Sequence, residues 1–389
     1  MDQIEGIISD PEVEGTGIKA ALTTLSQALA DFSQSPYQET NANIVMNAFK
    51  GVTQVLNEYD ANLKTLMEQT KNDLSVAVED INTKLDQLSE LNSSIAHEIF
   101  SNNDYDGVNY GPNDLLDQRN VILDDLSRYG DVQVTDLEDG KIQVKINGKV
   151  VVDASGASYT NDKLNIGSDG VTLTWNSNNQ NANLGAGAIR GFTDMLTGAD
   201  PINAGIPYYQ NKMDNFAQTL ADVFNNKIHA DDPDFPDKYK FLLQGGVDGK
   251  VTAGNISISD QWADDVSYII RKQNPDGELD NQDILDMKAA FEQDFNFGGE
   301  YTGTFSEFIT SVTNTLGSGI KTNSARMSAS LAIAESADSE RMGVSGVSLN
   351  EEGISMMTYN KAYQALGRLM TTMDEQLDMI INKMGIVGR

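Results

Sequence analysis

Residues 72–88 read Asn72-Asp73-Leu74-Ser75-Val76-Ala77-Val78-Glu79-Asp80-Ile81-Asn82-Thr83-Lys84-Leu85-Asp86-Gln87-Leu88. Leu74, Val78, Ile81, Leu85 and Leu88 recur at alternating spacings of four and three, the signature of a helix with one buried seam. Ile95 and Ile99 continue the pattern, with Asn92 at the intervening position. Upstream, Val52, Val55, Tyr59, Leu63 and Leu66 draw a similar stripe, and a polar stretch near Thr70 joins the two halves. A helix of roughly 60 residues would be about 90 Å long. That is too long for a compact enzyme domain and suits the subunit of a rod or fibre.

Outward from this segment the pattern stays helical on one side and changes on the other. Leu22, Leu25, Leu29 and Phe32 predict an amphipathic helix over 18–32, ended by Pro36. Beyond an Asn/Asp/Gly loop at 101–113, residues 114–128 predict a further helix. The period then falls to two: Val132 and Val134 alternate with polar residues, and Ile142, Val144 and Ile146 do the same. Asn147-Gly148 before Lys149-Val150-Val151-Val152 is a strong hairpin signal. A second hairpin is predicted from 163–166 and 171–175 around Ser168-Asp169-Gly170, so 131–176 reads as a small antiparallel module. Met213, Phe216, Leu220, Val223 and Phe224 line a later helix, and 231–297 is mixed, with a short strand at 256–258. Helix resumes at 305–339. Leu366, Met370, Met373, Leu377, Ile380 and Met384 make a second heptad seam near the far end.

Composition narrows the function classes. The 389 residues carry a formal net charge of −31, which would repel a phosphate lattice and argues against nucleic-acid binding. No apolar run approaches the ~20 residues of a membrane span, and the first residues lack the basic and apolar regions of a signal peptide. With no cysteine, disulfides, thiolate metal sites and cysteine nucleophiles are excluded. Aromatic residues make up 7% of the chain, which favours helices packed along thin seams over a thick aromatic core. The two histidines, His97 and His229, have no motif around them, and no catalytic constellation or cofactor fingerprint is present. Asn102, Asp104, Asp106 and Gly107 resemble the start of a calcium loop, but the twelfth position is Asn113 where a bidentate Glu is required. An acidic turn is the better reading there, as is a capping loop at Asp231-Asp232-Pro233-Asp234. The expectation is a structural protein with no catalytic, cofactor or metal residues. A coiled-coil surface protein with a calcium-dependent module is the alternative from another class.

The C-terminal residues carry a resemblance. Gly346-Val347-Ser348-Leu349-Asn350-Glu351-Glu352 leads into Met356-Met357-Thr358-Tyr359-Asn360-Lys361-Ala362-Tyr363-Gln364-Ala365. This resembles the C-terminal signature of flagellar axial proteins, a Gly-Val-x-Leu-Asp-Glu-Glu turn before a Tyr-x-x-Ala-Tyr-Gln-Ala helix. Asn350 replaces the usual Asp, and Gly367 stands where Ala or Ser is usual. Three stretches are similar to the hook-associated protein 1 family within that group. They are Asn113-Asp114-Leu115-Leu116-Asp117-Gln118-Arg119-Asn120, Gly187-Ala188-Ile189-Arg190-Gly191-Phe192, and Ser339-Glu340-Arg341-Met342-Gly343-Val344-Ser345-Gly346. Flagellin generally lacks the first of them. Another axial protein, the second junction protein or a flagellin-like one, is the nearer alternative.

The resemblance implies a structural protein at the hook–filament junction of the bacterial flagellum. It further implies export by the flagellar type III route and helical self-assembly. The implied partners are the hook protein, the second junction protein, further copies of the chain and an export chaperone on the C-terminal helix. The implied assembly face is Tyr359, Tyr363, Leu366, Met370, Met373, Leu377, Ile380 and Met384. The family's first helix, with its Asn-Ile-Ala-Asn-like stretch and Gly-Tyr-Ser turn, has no match in this sequence. The chain is therefore expected to start inside the family's helical domain, leaving the 366–384 seam without an intramolecular partner.

The expected fold is mainly α with a β insertion: a long coiled-coil-like helical bundle formed by the two chain ends, plus a small antiparallel β domain. The expected parts are helical at 1–129, an antiparallel outer module at 130–188 and a helical return at 189–230. A mixed α/β insertion at 231–299, helix at 300–345 and the C-terminal assembly helix at 346–389 follow.

Overall fold

The computed structural model describes residues 1–8, 16–102, 112–154, 160–182, 184–228, 241–246, 249–270 and 281–383. It divides into two compact units, Met1–Ile320 and Lys321–Arg389. The architecture is mainly α-helical with small antiparallel sheets.

The first unit is organised along α3 (Glu39–Asn102), a single helix of 64 residues. It runs without a break through the polar stretch, where the Thr70 hydroxyl donates to the Leu66 carbonyl at 2.8 Å. Its stripe from Leu74 to Ile95 is buried, as the spacing predicts. Its partners are the helices α4 (Asn113–Ser127) and α5 (Gly187–Thr197), which bring Leu126, Ile189 and Leu196 to the same core, and a sheet. The order is β1 (Val132–Asp136), β2 (Ile142–Ile146), β3 (Lys149–Asp153) and β4 (Thr160–Asn161), all antiparallel, and β5 (Leu164–Ile166) with β6 (Leu173–Trp175) forms a separate hairpin in the same core. Ile142, Val144, Ile146, Val152, Leu164 and Trp175 share one core with Leu74, Ile81, Leu85 and Leu88. A 4/3 spacing fixes which side of a helix is buried, but a sheet face can fill that groove as well as a second helix. The Asn147-Gly148 turn has φ +48° and +80°, the left-handed pair a two-residue hairpin demands.

Asparagines on α3 stitch the strands to the helix. Asn92 donates from Nδ2 to the Ile142 carbonyl at 2.9 Å, and its Oδ1 accepts from the Ile142 N–H at 3.1 Å. Asn82 makes the same two bonds to Leu164, at 2.9 Å each. Each side-chain amide thus replaces a neighbouring strand, which explains a polar residue at a seam position. Asn92→Ala leaves the buried Ile142 N–H and C=O unpaired. It is expected to lower unfolding stability by about 2–6 kcal/mol, at ~1–3 kcal/mol per orphaned group, read by urea denaturation. At the sheet's far edge Asp86 accepts from Lys163 at 2.7 Å and Asn161 at 2.6 Å, and the Lys163 bond holds its carboxyl below the ordinary carboxylate value. A lowered folded value stabilises above the ordinary value and loses that contribution as pH falls through the folded one. The pair is exposed, so Asp86→Asn is expected to cost under about 1 kcal/mol at pH 7. It should also flatten the acid limb of a stability–pH curve.

The other half of α3 packs with α1 (Asp2–Ile8), α2 (Gly17–Gln34) and α6 (Ile206–Asn225), and α8 (Gln282–Ala289) packs on α2 in the same core. Two hairpins, β7 (Leu243–Gln244) with β8 (Ser257–Ile258) and β9 (Phe295–Phe297) with β10 (Tyr301–Gly303), close this end. The short α7 (Asp260–Asp264) brings Trp262 against Phe49 at 5.3 Å between ring centroids. Ile4 and Ile8 share this core with Val312 and Leu316 of α9 (Phe305–Ser345), so the chain's beginning meets its late return there.

Here the expectation of thin seams fails. Phe216, Phe224, Phe291, Phe295, Phe297 and Phe308 form one aromatic cluster with Phe305, and the Phe297–Phe308 centroids are 4.3 Å apart. A low average aromatic content says nothing about clustering. Phe216 and Phe224 come from α6, while the other rings come from the stretch 291–308, the turn before β9, β9 itself and the start of α9, more than 60 residues later.

In the second unit, α9 continues to Ser345 and α10 (Leu349–Asp378) ends in a π-helical turn, Met379–Lys383. Every described side chain over 321–344 is exposed, and α10 has no buried residue.

Candidate assembly surface

The Gly-Val-Ser-Leu-Asn-Glu-Glu stretch is a helix stop and restart. The Gly346 N–H donates to the Met342 carbonyl at 2.8 Å. A Cβ on Gly346 would lie 2.3 Å from that carbonyl oxygen, so this closure admits no side chain. Ser348 is the N-cap of α10: extended at φ −76°, ψ 113°, its hydroxyl accepts from the Glu351 N–H. Ser348 followed by Glu351 is capping-box spacing, and Glu351 and Glu352 complement the positive helix N-terminus.

Tyr359, Tyr363, Leu366, Met370, Met373, Leu377 and Ile380 fall on one side of α10 and its terminal turn at spacings of four and three. At 100° per residue they occupy a narrow arc, with Lys361 and Arg368 on the opposite side. All seven are exposed, from 49% for Leu377 to 79% for Tyr363. Met384 lies outside the described residues. Met356 and Leu369, also exposed, border the stripe and widen it. On the second part of α9, Met327, Leu331 and Ile333 are exposed large apolar residues that the sequence reading did not single out. Their spacing has no heptad continuity to mark them.

The other two family-like stretches have interior roles. Arg119, on α4 (Asn113–Ser127), is buried, and its Nη1 donates to the Gly140 carbonyl at 2.6 Å. Burial pulls its pKa down, opposed by nearby Asp136. The Leu-Leu-Asp-Gln-Arg stretch therefore ties α4 to the turn before β2. Gly187, at the start of α5 (Gly187–Thr197), has φ +77°, and a Cβ there would sit 2.3 Å from the Tyr129 carbonyl carbon. The Ala188 N–H then donates to Arg128 O at 2.9 Å. Any side chain at 187 would force the β module's two ends apart.

His97 lies exposed on α3, and His229 and the 231–234 stretch lie outside the described residues. Of the calcium-like loop, 103–111 likewise lies outside them. Among the described residues no group of three or more His, Asp or Glu side chains is placed to hold a metal ion. No described helix is long and apolar enough to cross a membrane.

Residues 1–237 match the family described as flagellar hook-associated protein FlgK helical domain. Residues 339–383, which include α10, match the family described as flagellar basal body rod FlgEFG protein C-terminal. The flagellar hook-associated protein 1 of Bacillus subtilis (strain 168) is 25% identical over 425 aligned positions, covering 100% of this chain and 80% of that protein. The structure of the flagellar hook junction protein FlgK from Burkholderia pseudomallei aligns with a TM-score of 0.44 and 20% identity, over 58% of this chain and 40% of that one.

Proposed function

The chain belongs to the flagellar hook-associated protein FlgK family, and from that premise we propose that the apolar stripe of α10 is the surface through which it assembles at the hook–filament junction. It is a structural protein of the flagellar axis. The observation carrying the proposal is the unburied heptad stripe 359–380 on a capped helix, inside the segment that matches the axial C-terminal family. An apolar stripe of seven residues, each about half exposed or more, is out of keeping with a monomer's surface and marks an interaction site.

Burying one of these side chains against a partner helix contributes on the order of 1–3 kcal/mol at ~25 cal/mol per Å². Several in register offset the entropy of ordering the helix. The partners are further copies of the chain, the hook protein and the second junction protein, and before export a flagellar chaperone covering the same stripe. Export proceeds by the flagellar type III route. The net charge of −31 keeps free subunits apart until a local apolar contact forms. The β module and the 241–303 region face solvent in the assembly.

The test compares the chain with a version lacking 346–389 for binding to isolated hooks by electron microscopy and co-sedimentation. The intact chain is expected to cap the hook and the truncated one to remain in the supernatant, with equal thermal stability. Equal capping by both would show that α10 is not the assembly element.

A further inference from the structure

Strand β1 is an outer strand of its sheet, and its edge is unusually open. Its register with β2 is unbroken from Val132 opposite Ile146 to Asp136 opposite Ile142. At the two ends the Asn147 N–H donates to Asp131 O and the Leu137 N–H donates to Lys141 O, each at 2.8 Å. The odd-numbered residues are therefore the ones bonded to β2. In an antiparallel ladder the intervening residues, Val132, Val134 and Asp136, direct their N–H and C=O groups away from the partner strand. Among the described residues nothing bonds to those outward groups.

Proteins blunt such edges with short strands, lysine, proline or bulges. The opposite edge follows this practice: β4 has two residues, and its Asn161 is engaged by Asp86. β1 has none of these devices across its five residues, Val-Gln-Val-Thr-Asp. Val132 and Val134 stand on the same face as the buried Ile146 and Val144 opposite them, yet Val134 is 45% exposed. Gln133 and Thr135 lie on the other face, both exposed. An incoming strand thus meets one apolar lane and one polar lane. Asp131 and Glu138 stand exposed beyond the two ends, while Asp136 has Arg119 as a charged neighbour. Acidic flanks on a chain of net charge −31 disfavour a second copy and favour a neutral or basic strand.

We propose that the outer edge of β1 is a strand-addition site for an extended segment of a partner protein, one that alternates apolar and polar residues and carries basic residues at its ends. Backbone bonds at Val132, Val134 and Asp136 supply the affinity, and the Val132–Val134 lane supplies the register. This site is separate from α10 and stands or falls independently of the assembly reading.

The test titrates the whole chain into a dye-labelled synthetic heptapeptide, Lys-Val-Thr-Val-Thr-Val-Lys, followed by fluorescence anisotropy. Saturable binding is expected, with a Kd on the order of 0.1 mM for a few net backbone hydrogen bonds. Val134→Pro removes an outward N–H that no described strand uses, a position where an edge strand tolerates proline. It is expected to raise the Kd at least about tenfold, the loss of roughly one net hydrogen bond, at an unchanged thermal midpoint. Val134→Lys, which keeps the backbone donor and so the fold, should weaken binding similarly by repelling the basic peptide. The same peptide with Glu at both ends should bind at least about tenfold more weakly. Three results would overturn the proposal: no saturable binding, equal Kd values for wild type and both variants, or equal binding of the acidic peptide. Self-association that Val134→Lys abolishes, with no peptide bound, would overturn it by making a second copy the occupant.

Discussion

Phe305→Ala is expected to lower the unfolding free energy of the first unit by about 3–5 kcal/mol, the range for deleting a buried aromatic ring. Phe305 is 1% exposed, and its ring meets those of Phe295, Phe216 and Phe297 at 5.3, 5.5 and 5.6 Å. Phe224 and Phe291 stand at 6.2 Å. Rings packed this closely leave the site little room to collapse, so the cavity persists and the loss falls at the upper end. Chemical denaturation followed by tryptophan fluorescence measures it, because Trp262 sits in the same core. A loss below about 1 kcal/mol, the level of an exposed-site change, would mean the ring cluster is not the keystone of that core.

The second large effect is on assembly and leaves stability untouched. Leu366→Asp combined with Leu377→Asp places two carboxylates on the α10 stripe. Both positions are exposed in the chain, at 60% and 49%, so the folded subunit loses nothing. The thermal midpoint is expected to stay within about 1 °C, as for surface substitutions of about ±0.5 kcal/mol. In an assembled contact each carboxylate would be buried without a partner, at several kcal/mol apiece. Hook binding in a co-sedimentation assay is therefore expected to fall by at least about 100-fold. A normal binding curve would remove the stripe from the interface.

The fold was readable where local rules act. The 4/3 spacing from Leu74 to Leu88 marks the buried side of α3, and Asn147-Gly148 marks the hairpin. What the spacing could not supply was the neighbour across the seam. The core that seam positions such as Ile81 and Leu85 share draws on α4, α5 and the strands, later stretches of the chain, and periodicity carries no long-range pairing. Asn92 illustrates this: within the heptad it is an interruption, and only the adjacent Ile142 backbone explains it. The same holds for Arg119 and Gly187, whose resemblance to family stretches is visible in sequence while their tasks, a carbonyl clasp and a close backbone approach, are visible only in three dimensions. For the stripe on α10 the sequence shows the pattern, and the structure adds that it is uncovered and bordered by Met356 and Leu369.

An isolated amphipathic helix is marginal in water, and packing of its apolar face is what holds it. If α10 is the assembly element, its amides should exchange quickly in the free subunit and slowly once its stripe is covered. Hydrogen–deuterium exchange over 349–378, with the chain free and bound to isolated hooks, measures this directly. The expected result is protection raised at least about 100-fold on binding, equivalent to some 2.7 kcal/mol of local stability, with residues 42–66 of α3 unchanged. Unchanged exchange over 349–378 in chains demonstrably bound to hooks would contradict the account.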